Sequence, residues 1–223
     1  EQKFRTIFVA VAISDFVDGG KVYAVPLGVN SLGLYYNKDL FNEAGIASPP
    51  ADWNKFGEDV KKLTKVDSIG NIIQSGAAMG TAYNINRSTD ILNVLMLQNG
   101  TSMTDDQRSK TTFDSIVVDP SNIGNDGRKF NSPGENALNF YTQFAKTGSS
   151  VYSWNPSMHY SIDAFSEGKT AMMLNYSWVW DTIYSKSPKL NFAVAPLPQL
   201  PGDKPINYAN YWAFAVAKNK NLD

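Results

Sequence analysis

Residues 161–184, SIDAFSEGKTAMMLNYSWVWDTIY, pass through helix, glycine stop, strand and helix again. Gly168 ends the first helical pattern, KTAMML is a short apolar strand, and Ser177 stands where the next helix is capped. A strand set between helices points to an α/β layer architecture, with a sheet covered by helices. Two tryptophans and a tyrosine crowd the strand–helix junction, at Tyr176, Trp178 and Trp180. They are either core packing or a surface for a ligand.

The same alternation runs along the rest of the chain. Residues 4–17 carry Phe4, Ile7, Phe8 and Val11 at partly helical spacing and end in the turn Asp18-Gly19-Gly20. KVYAVPLGVNSLGLYY follows as extended chain: β-branched and aromatic residues dominate, and Pro26 forbids a helix interior. Asp52 is the expected cap of a helix with Trp53, Phe56, Val60 and Leu63 on one face. GNIIQSGAAMG reads as a buried strand. Ser88 or Thr89 then caps a helix carrying Ile91, Leu92, Val94 and Leu95, stopped by Gly100. Residues 101–131 are polar and turn-rich and predict a short hairpin or excursion. SPGENALNFYTQFAKTG predicts a helix with a Ser132/Glu135 capping box, Pro133 at its first position, and Leu138, Tyr141, Phe144 and Ala145 on its apolar face. NFAVAPLP and YWAFAVA read as strands around the loop QLPGDKP. No internal repeat interrupts this order.

Composition narrows the function classes. The chain has 223 residues, 43% of them hydrophobic, enough for one large domain or two small ones. A net charge of −1 argues against nucleic acid as a partner, because phosphate binding needs a basic excess. With no cysteine, disulfides, thiol catalysis and cysteine metal sites are all excluded. That fits an oxidising compartment, though a cytosolic protein that happens to lack cysteine fits too. No apolar run approaches the ~20 residues of a membrane helix. Residue 1 is Glu, so the chain reads as a processed protein or an excised piece.

The ingredients of catalysis are sparse. His159 is the single histidine, and no Gly-x-Ser-x-Gly elbow accompanies it. There is no His pair with metal spacing and no glycine-rich phosphate loop at a strand–helix junction. Asp90, Asp163 and Glu167 are the carboxylates a glycosidase would draw on, and each reads equally well as solvated helix charge.

Aromatic and amide residues are more telling. Tyr83, Trp154, Tyr176, Trp178, Tyr211 and Trp212 fall at element junctions, accompanied by Asn84, Asn86, Asn155, Asn175 and Asn210. A sugar offers apolar C–H faces and rings of hydroxyls. Its site therefore wants flat aromatic platforms beside groups that both donate and accept hydrogen bonds. In open α/β sheets such sites lie at the carboxyl ends of strands. A single tryptophan is as readily core as site; the ensemble favours a site.

Three segments, in order, resemble a known family. GKVYAVPLGVNSLGLYYNKDLFNEAGI, AFSEGKTAMMLNYSWVW and FAVAPLPQLPGDKPINYANYWAFAVAKNKN are similar to the extracellular solute-binding proteins of ABC importers, in the sugar-binding group that includes maltose-binding protein. The resemblance implies a type II periplasmic-binding-protein-like α/β fold, a mixed sheet flanked by helices, here truncated to mostly the second of two lobes. It divides the chain into residues 1–36, the end of the N-terminal lobe with a first crossing strand; 37–205, the C-terminal lobe; and 206–223, a return crossing strand. It implies a receptor that binds a sugar or oligosaccharide in the cleft between lobes and delivers it to a membrane permease, with no catalytic residue, metal or cofactor. It places the protein in the periplasm or outside the cell, with lipid anchoring as one option.

By position the resemblance assigns ligand contacts to Asn30, to Tyr83, Asn84, Asn86 and Arg87, to Trp178 as the stacking platform, and to Tyr211 and Trp212. Tyr176 departs from the small residue common at its place and stands as a second platform or a wall of the pocket. Trp154 and Asn175 complete the candidate set on the aromatic and amide pattern. A secreted carbohydrate-active enzyme or lectin-like domain is the alternative, and predicts two acids converging near Trp178. Where the absent lobe would pack, an exposed apolar surface, or a dimer covering it, is expected.

Overall fold

The structure, a computed structural model, describes residues 2–119, 129–202 and 204–217. Residues 120–128 of the 101–131 excursion, and residues 218–223, which include the end of the third family-like segment, lie outside the described residues. The chain divides into two units, Glu1–Ser31 with Ala209–Asp223, and Leu32–Tyr208.

In the first unit, α1 (Gln2–Ile7) and α2 (Ala10–Phe16) precede a hairpin of β1 (Val17–Asp18) and β2 (Lys21–Val22). Gly19 and Gly20 form its two-residue turn at φ +53° and +77°, a pair of left-handed conformations that glycine adopts without steric cost. β3 (Val25–Pro26) pairs antiparallel with the final strand, β11 (Ala213–Phe214). This ladder is shorter than YWAFAVA predicts, in part because Pro26 has no N–H to donate. It continues as Leu27 N–H to the Trp212 carbonyl at 3.0 Å, and as reciprocal 2.9 Å bonds between Asn30 and Asn210.

The second unit is built on a mixed five-stranded sheet. Its strands are β4 (Gly33–Asn37), β5 (Lys65–Val66), β6 (Ile72–Ala77), β9 (Thr170–Asn175) and β10 (Phe192–Pro196), ordered β10-β4-β9-β6-β5. Only β6 and β9 run parallel. The expected boundary after residue 36 falls inside β4, which is hydrogen-bonded on one side to β10 and on the other to β9. Breaking the chain there would cut the middle of the sheet. A further pair, β7 (Val117–Asp119) and β8 (Lys129–Asn131), forms the expected hairpin.

Both sheet faces are covered. Leu34 sits in the larger core, under α3 (Lys38–Glu43), α4 (Trp53–Leu63), α5 (Ser88–Gln98) and α6 (Pro133–Thr142). Its neighbour Tyr35 points the other way, into a smaller core with Phe165, Met173, Val179 and Ile183, under α7 (Ser161–Ser166) and α8 (Val179–Lys186). All six residues of β9 are buried, as a central strand between two helical layers requires. The α4 face is as expected, and Asp52 caps it by accepting from Lys55 N–H at 2.8 Å.

Three expected caps are not made. Ser88 lies inside α5 and donates its hydroxyl to the Ala82 carbonyl at 2.7 Å, leaving Arg87 as the cap residue. Ser132 engages the first turn of α6 through its backbone carbonyl only. Ser177 stands one position before the cap residue of α8, Trp178. The inward face of α6 is also rotated, with Ala137 and Tyr141 buried and Leu138 exposed. Gly134 explains the rotation: a Cβ there would lie 2.1 Å from the Phe113 carbonyl oxygen, so the helix approaches its neighbour along its smallest side.

Candidate functional site

Because β6 and β9 run parallel, their carboxyl ends reach the same edge of the sheet, and the chain leaves both in loops that lead to helices. The loop after β6 carries Tyr83, Asn84, Asn86 and Arg87; the turn after β9 carries Tyr176 and Trp178. Side chains of the two join there.

Tyr176 and Trp178 stack with ring centroids 4.4 Å apart and planes inclined by 23°. Their exposures differ sharply: Tyr176 is 0% exposed and Trp178 is 40% exposed. Tyr176 is held at several points. Its hydroxyl donates to Asp90 Oδ2 at 2.9 Å, its amide N–H donates to Asn175 Oδ1 at 2.9 Å, and its carbonyl accepts from the Tyr35 hydroxyl at 2.8 Å. Burial, then the hydrogen bond to Asp90, pushes the Tyr176 phenol well above its ordinary pKa, so it stays a neutral donor. The Arg87 guanidinium carbon lies 5.7 Å from the Tyr176 ring centre and 5.2 Å from that of Trp178. A group across Trp178 from Tyr176 would be nearly twice as far from the tyrosine. Arg87 therefore sits beside the stack, and neither residue covers the opposite face of Trp178.

Amides join the two loops. Asn175 donates to Asn86 Oδ1 at 3.0 Å, and Asn86 donates onward to the Tyr160 hydroxyl at 2.7 Å. Asn84 is buried and ties down residues 155–158, donating to the carbonyls of Asn155 and Met158 at 3.0 Å each. Tyr83 is exposed and donates to the Pro156 carbonyl at 2.6 Å.

Four expected ligand contacts are buried. Trp154 is 0% exposed, and its indole N–H donates to Asn84 Oδ1 at 3.0 Å; it is a core residue. Asn84 and Asn175 spend their hydrogen bonds on the protein, and Tyr176 lies beneath Trp178 as its backing. Asn86, Arg87 and Trp178 remain partly or fully accessible where the loops meet. Asn30, Tyr211 and Trp212 belong to the first unit. There the Tyr211 hydroxyl bonds the Asp15 carboxylate and its ring meets Phe16 edge-on at 5.5 Å, whereas Trp212 is 82% exposed.

Asp90 and Tyr160 belong to this arrangement although neither is among the expected ligand contacts. For Asp90 a signal existed: it lies three residues after Arg87, on the same side of the first turn of α5. The other carboxylates weighed for catalysis are paired away from the stack, Asp163 with Lys186 at 2.7 Å and Glu167 with Lys169 at 2.9 Å. His159 is exposed and contacts Glu167 at 3.0 Å. Among the described residues no cluster of three His, Asp or Glu side chains is arranged to hold a metal ion.

The family of bacterial extracellular solute-binding proteins matches residues 5–223. A presumed binding protein of Brucella abortus is 39% identical over 61 residues, which are 27% of this chain and 15% of that protein. The cyclic α-maltosyl-1,6-maltose binding protein of Arthrobacter globiformis superposes with a TM-score of 0.68 at 20% identity, over 99% of this chain and 50% of that one. CpMnBP1, solved with mannobiose bound, gives a TM-score of 0.61 at 27% identity, over 92% of this chain and 49% of that one. The chain thus spans about half the length of these solved relatives and a smaller part of the curated one.

Proposed function

We propose, from the premise that this chain belongs to the bacterial extracellular solute-binding proteins, that it is part of the receptor of an ABC importer, binding a sugar or oligosaccharide for delivery to a membrane permease. The fold is the type II periplasmic-binding-protein-like α/β fold, a mixed sheet flanked by helices. The observation that carries the reading is Trp178, whose ring is backed by Tyr176 and yet 40% exposed, at the carboxyl end of the central strand. An apolar aromatic face suits the C–H face of a pyranose. Asn86 and Arg87, on the neighbouring loop after β6, are its hydrogen-bonding groups, and Tyr83 of the same loop is a further candidate for contact. The saccharides bound by CpMnBP1 and by the A. globiformis protein support the substrate class.

In such a receptor, ligand contacts to both lobes favour the closed form, which the permease reads. The work is done outside the cytoplasm, in the periplasm or at the cell surface, where a lipid anchor would keep it near its permease. No helix among the described residues is long and apolar enough to cross a membrane.

Calorimetric titration of the protein, expressed in the full length its gene encodes, tests the reading. The panel is mannobiose, maltose, maltotriose, short peptides and divalent cations. Saturable binding to at least one saccharide is expected. Binding to peptide or metal with no response to any sugar would overturn it, and release of hydrolysed sugar would favour the carbohydrate-active enzyme instead.

A further inference from the structure

Arg87 is one of two non-glycine residues with positive φ among the described residues, at +63°. A side chain in the left-handed region costs energy that the surrounding structure must hold, and such strain gathers at functional positions. Here it places a cation beside the Tyr176–Trp178 stack while Arg87 stays exposed to solvent. Among the described residues no carboxylate lies within ion-pair distance of its guanidinium. The nearest candidate by sequence, Asp90, is turned to the Tyr176 hydroxyl at 2.9 Å. The aromatic rings beside it accept no hydrogen bond in the plane of the guanidinium, so its N–H edge is left for a ligand.

We propose that Arg87 is a specificity-determining residue and that the ligand is an acidic saccharide, a sugar whose carboxylate meets the Arg87 guanidinium while a ring lies on the exposed surface of Trp178. The planar fork of arginine matches a carboxylate in two parallel hydrogen bonds, which a neutral hydroxyl pair reproduces less well. With Asp90 turned to the Tyr176 hydroxyl, the exposed cation beside an apolar platform selects a ligand with one apolar face and one anionic edge. Uronic-acid units have that form. The inference rests on the saccharide reading of the same site and narrows it.

The test titrates the full-length protein with digalacturonate and, as neutral counterparts, mannobiose and maltose, at two salt concentrations. The Arg87→Gln and Arg87→Lys variants follow, each checked for unchanged thermal unfolding. Digalacturonate is expected to bind more tightly than either neutral sugar and to weaken with added salt. Arg87→Gln is expected to lose roughly 10- to 100-fold in affinity for it, and Arg87→Lys less, since it keeps the charge and loses the fork. Should Arg87→Gln fail to fold, Arg87→Lys together with the salt dependence decides. Binding of neutral sugars only, or equal losses for both classes in Arg87→Gln, overturns the acidic-ligand inference and leaves the sugar receptor standing. Binding of neither class overturns both.

Discussion

Tyr176→Phe separates two jobs that one residue performs. The substitution keeps the ring that backs Trp178 at 4.4 Å and removes the hydroxyl that donates to Asp90 at 2.9 Å. A hydrogen bond to a charged group contributes about 1.5–3 kcal/mol. Asp90 is only partly buried, so water can satisfy some of the abandoned carboxylate, and a loss of about 1–2 kcal/mol is expected. For a unit of this size each kcal/mol moves Tm by roughly 2–4 °C, so Tyr176→Phe should melt about 2–8 °C lower. Tyr176→Ala removes the ring as well and opens a cavity in a fully buried place, costing about 3–5 kcal/mol. The near-ultraviolet circular dichroism of Trp178 should survive the first change and not the second. Urea unfolding with unchanged m-values would confirm that stability alone has moved. If Tyr176→Phe melts within a degree of the parent, or costs as much as the alanine variant, the hydroxyl clamp described here does not hold the platform.

Other outcomes follow from the same geometry. Trp154→Phe should cost about 2–4 kcal/mol, through a small cavity and the lost bond to Asn84, with ligand affinity nearly unchanged; weaker ligand binding at full stability would return Trp154 to the site. Burial pushes the Tyr35 pKa up to about 12, so the neutral phenol is favoured in the folded state. Stability from this group is fully present below the unfolded value near 10 and lost as pH rises toward 12, by about 1.4 kcal/mol per pH unit. Tyr141 and Tyr176 are raised in the same direction, chiefly by burial. Urea midpoints measured between pH 9 and 12 should fall steeply, and Tyr35→Phe should flatten the slope; an unchanged slope would show that Tyr35 ionises freely.

Much of the fold was legible because local signals agreed with the tertiary outcome. Asp52 with Trp53, Phe56, Val60 and Leu63 reads as a capped amphipathic helix and folds as one, and Gly168 marks the stop before β9. The caps were less legible. Ser88, Ser132 and Ser177 have the right chemistry, but a one-residue shift in helix start is enough to send a hydroxyl elsewhere, as Ser88 shows by bonding Ala82. The placement of β4 in the middle of the sheet was invisible, since it depends on β9 and β10 arriving more than 130 residues later.

At the site, the sequence identified the loops but not which aromatic faces water. Tyr176 and Trp178 are two residues apart and chemically alike, and only the turn between strand and helix decides that one lies over the other. Trp154 shows the same limit, because a junction position says nothing about depth. Asp90 was legible as an acid on the first turn of α5, but its partner is a tyrosine 86 residues away in sequence.

The most direct measurement is a fluorescence titration of the full-length protein and its Trp178→Ala variant with the saccharide that binds best. Trp178 is 40% exposed, so covering it with a sugar removes up to roughly 60–100 Å² of apolar surface from water, about 1.5–2.5 kcal/mol at most. A saturable change in emission is expected for the parent. For Trp178→Ala the expected affinity is lower by roughly 10-fold or more, with little change in Tm. An alanine variant that folds and binds the same sugar with the parent's affinity would contradict this expectation.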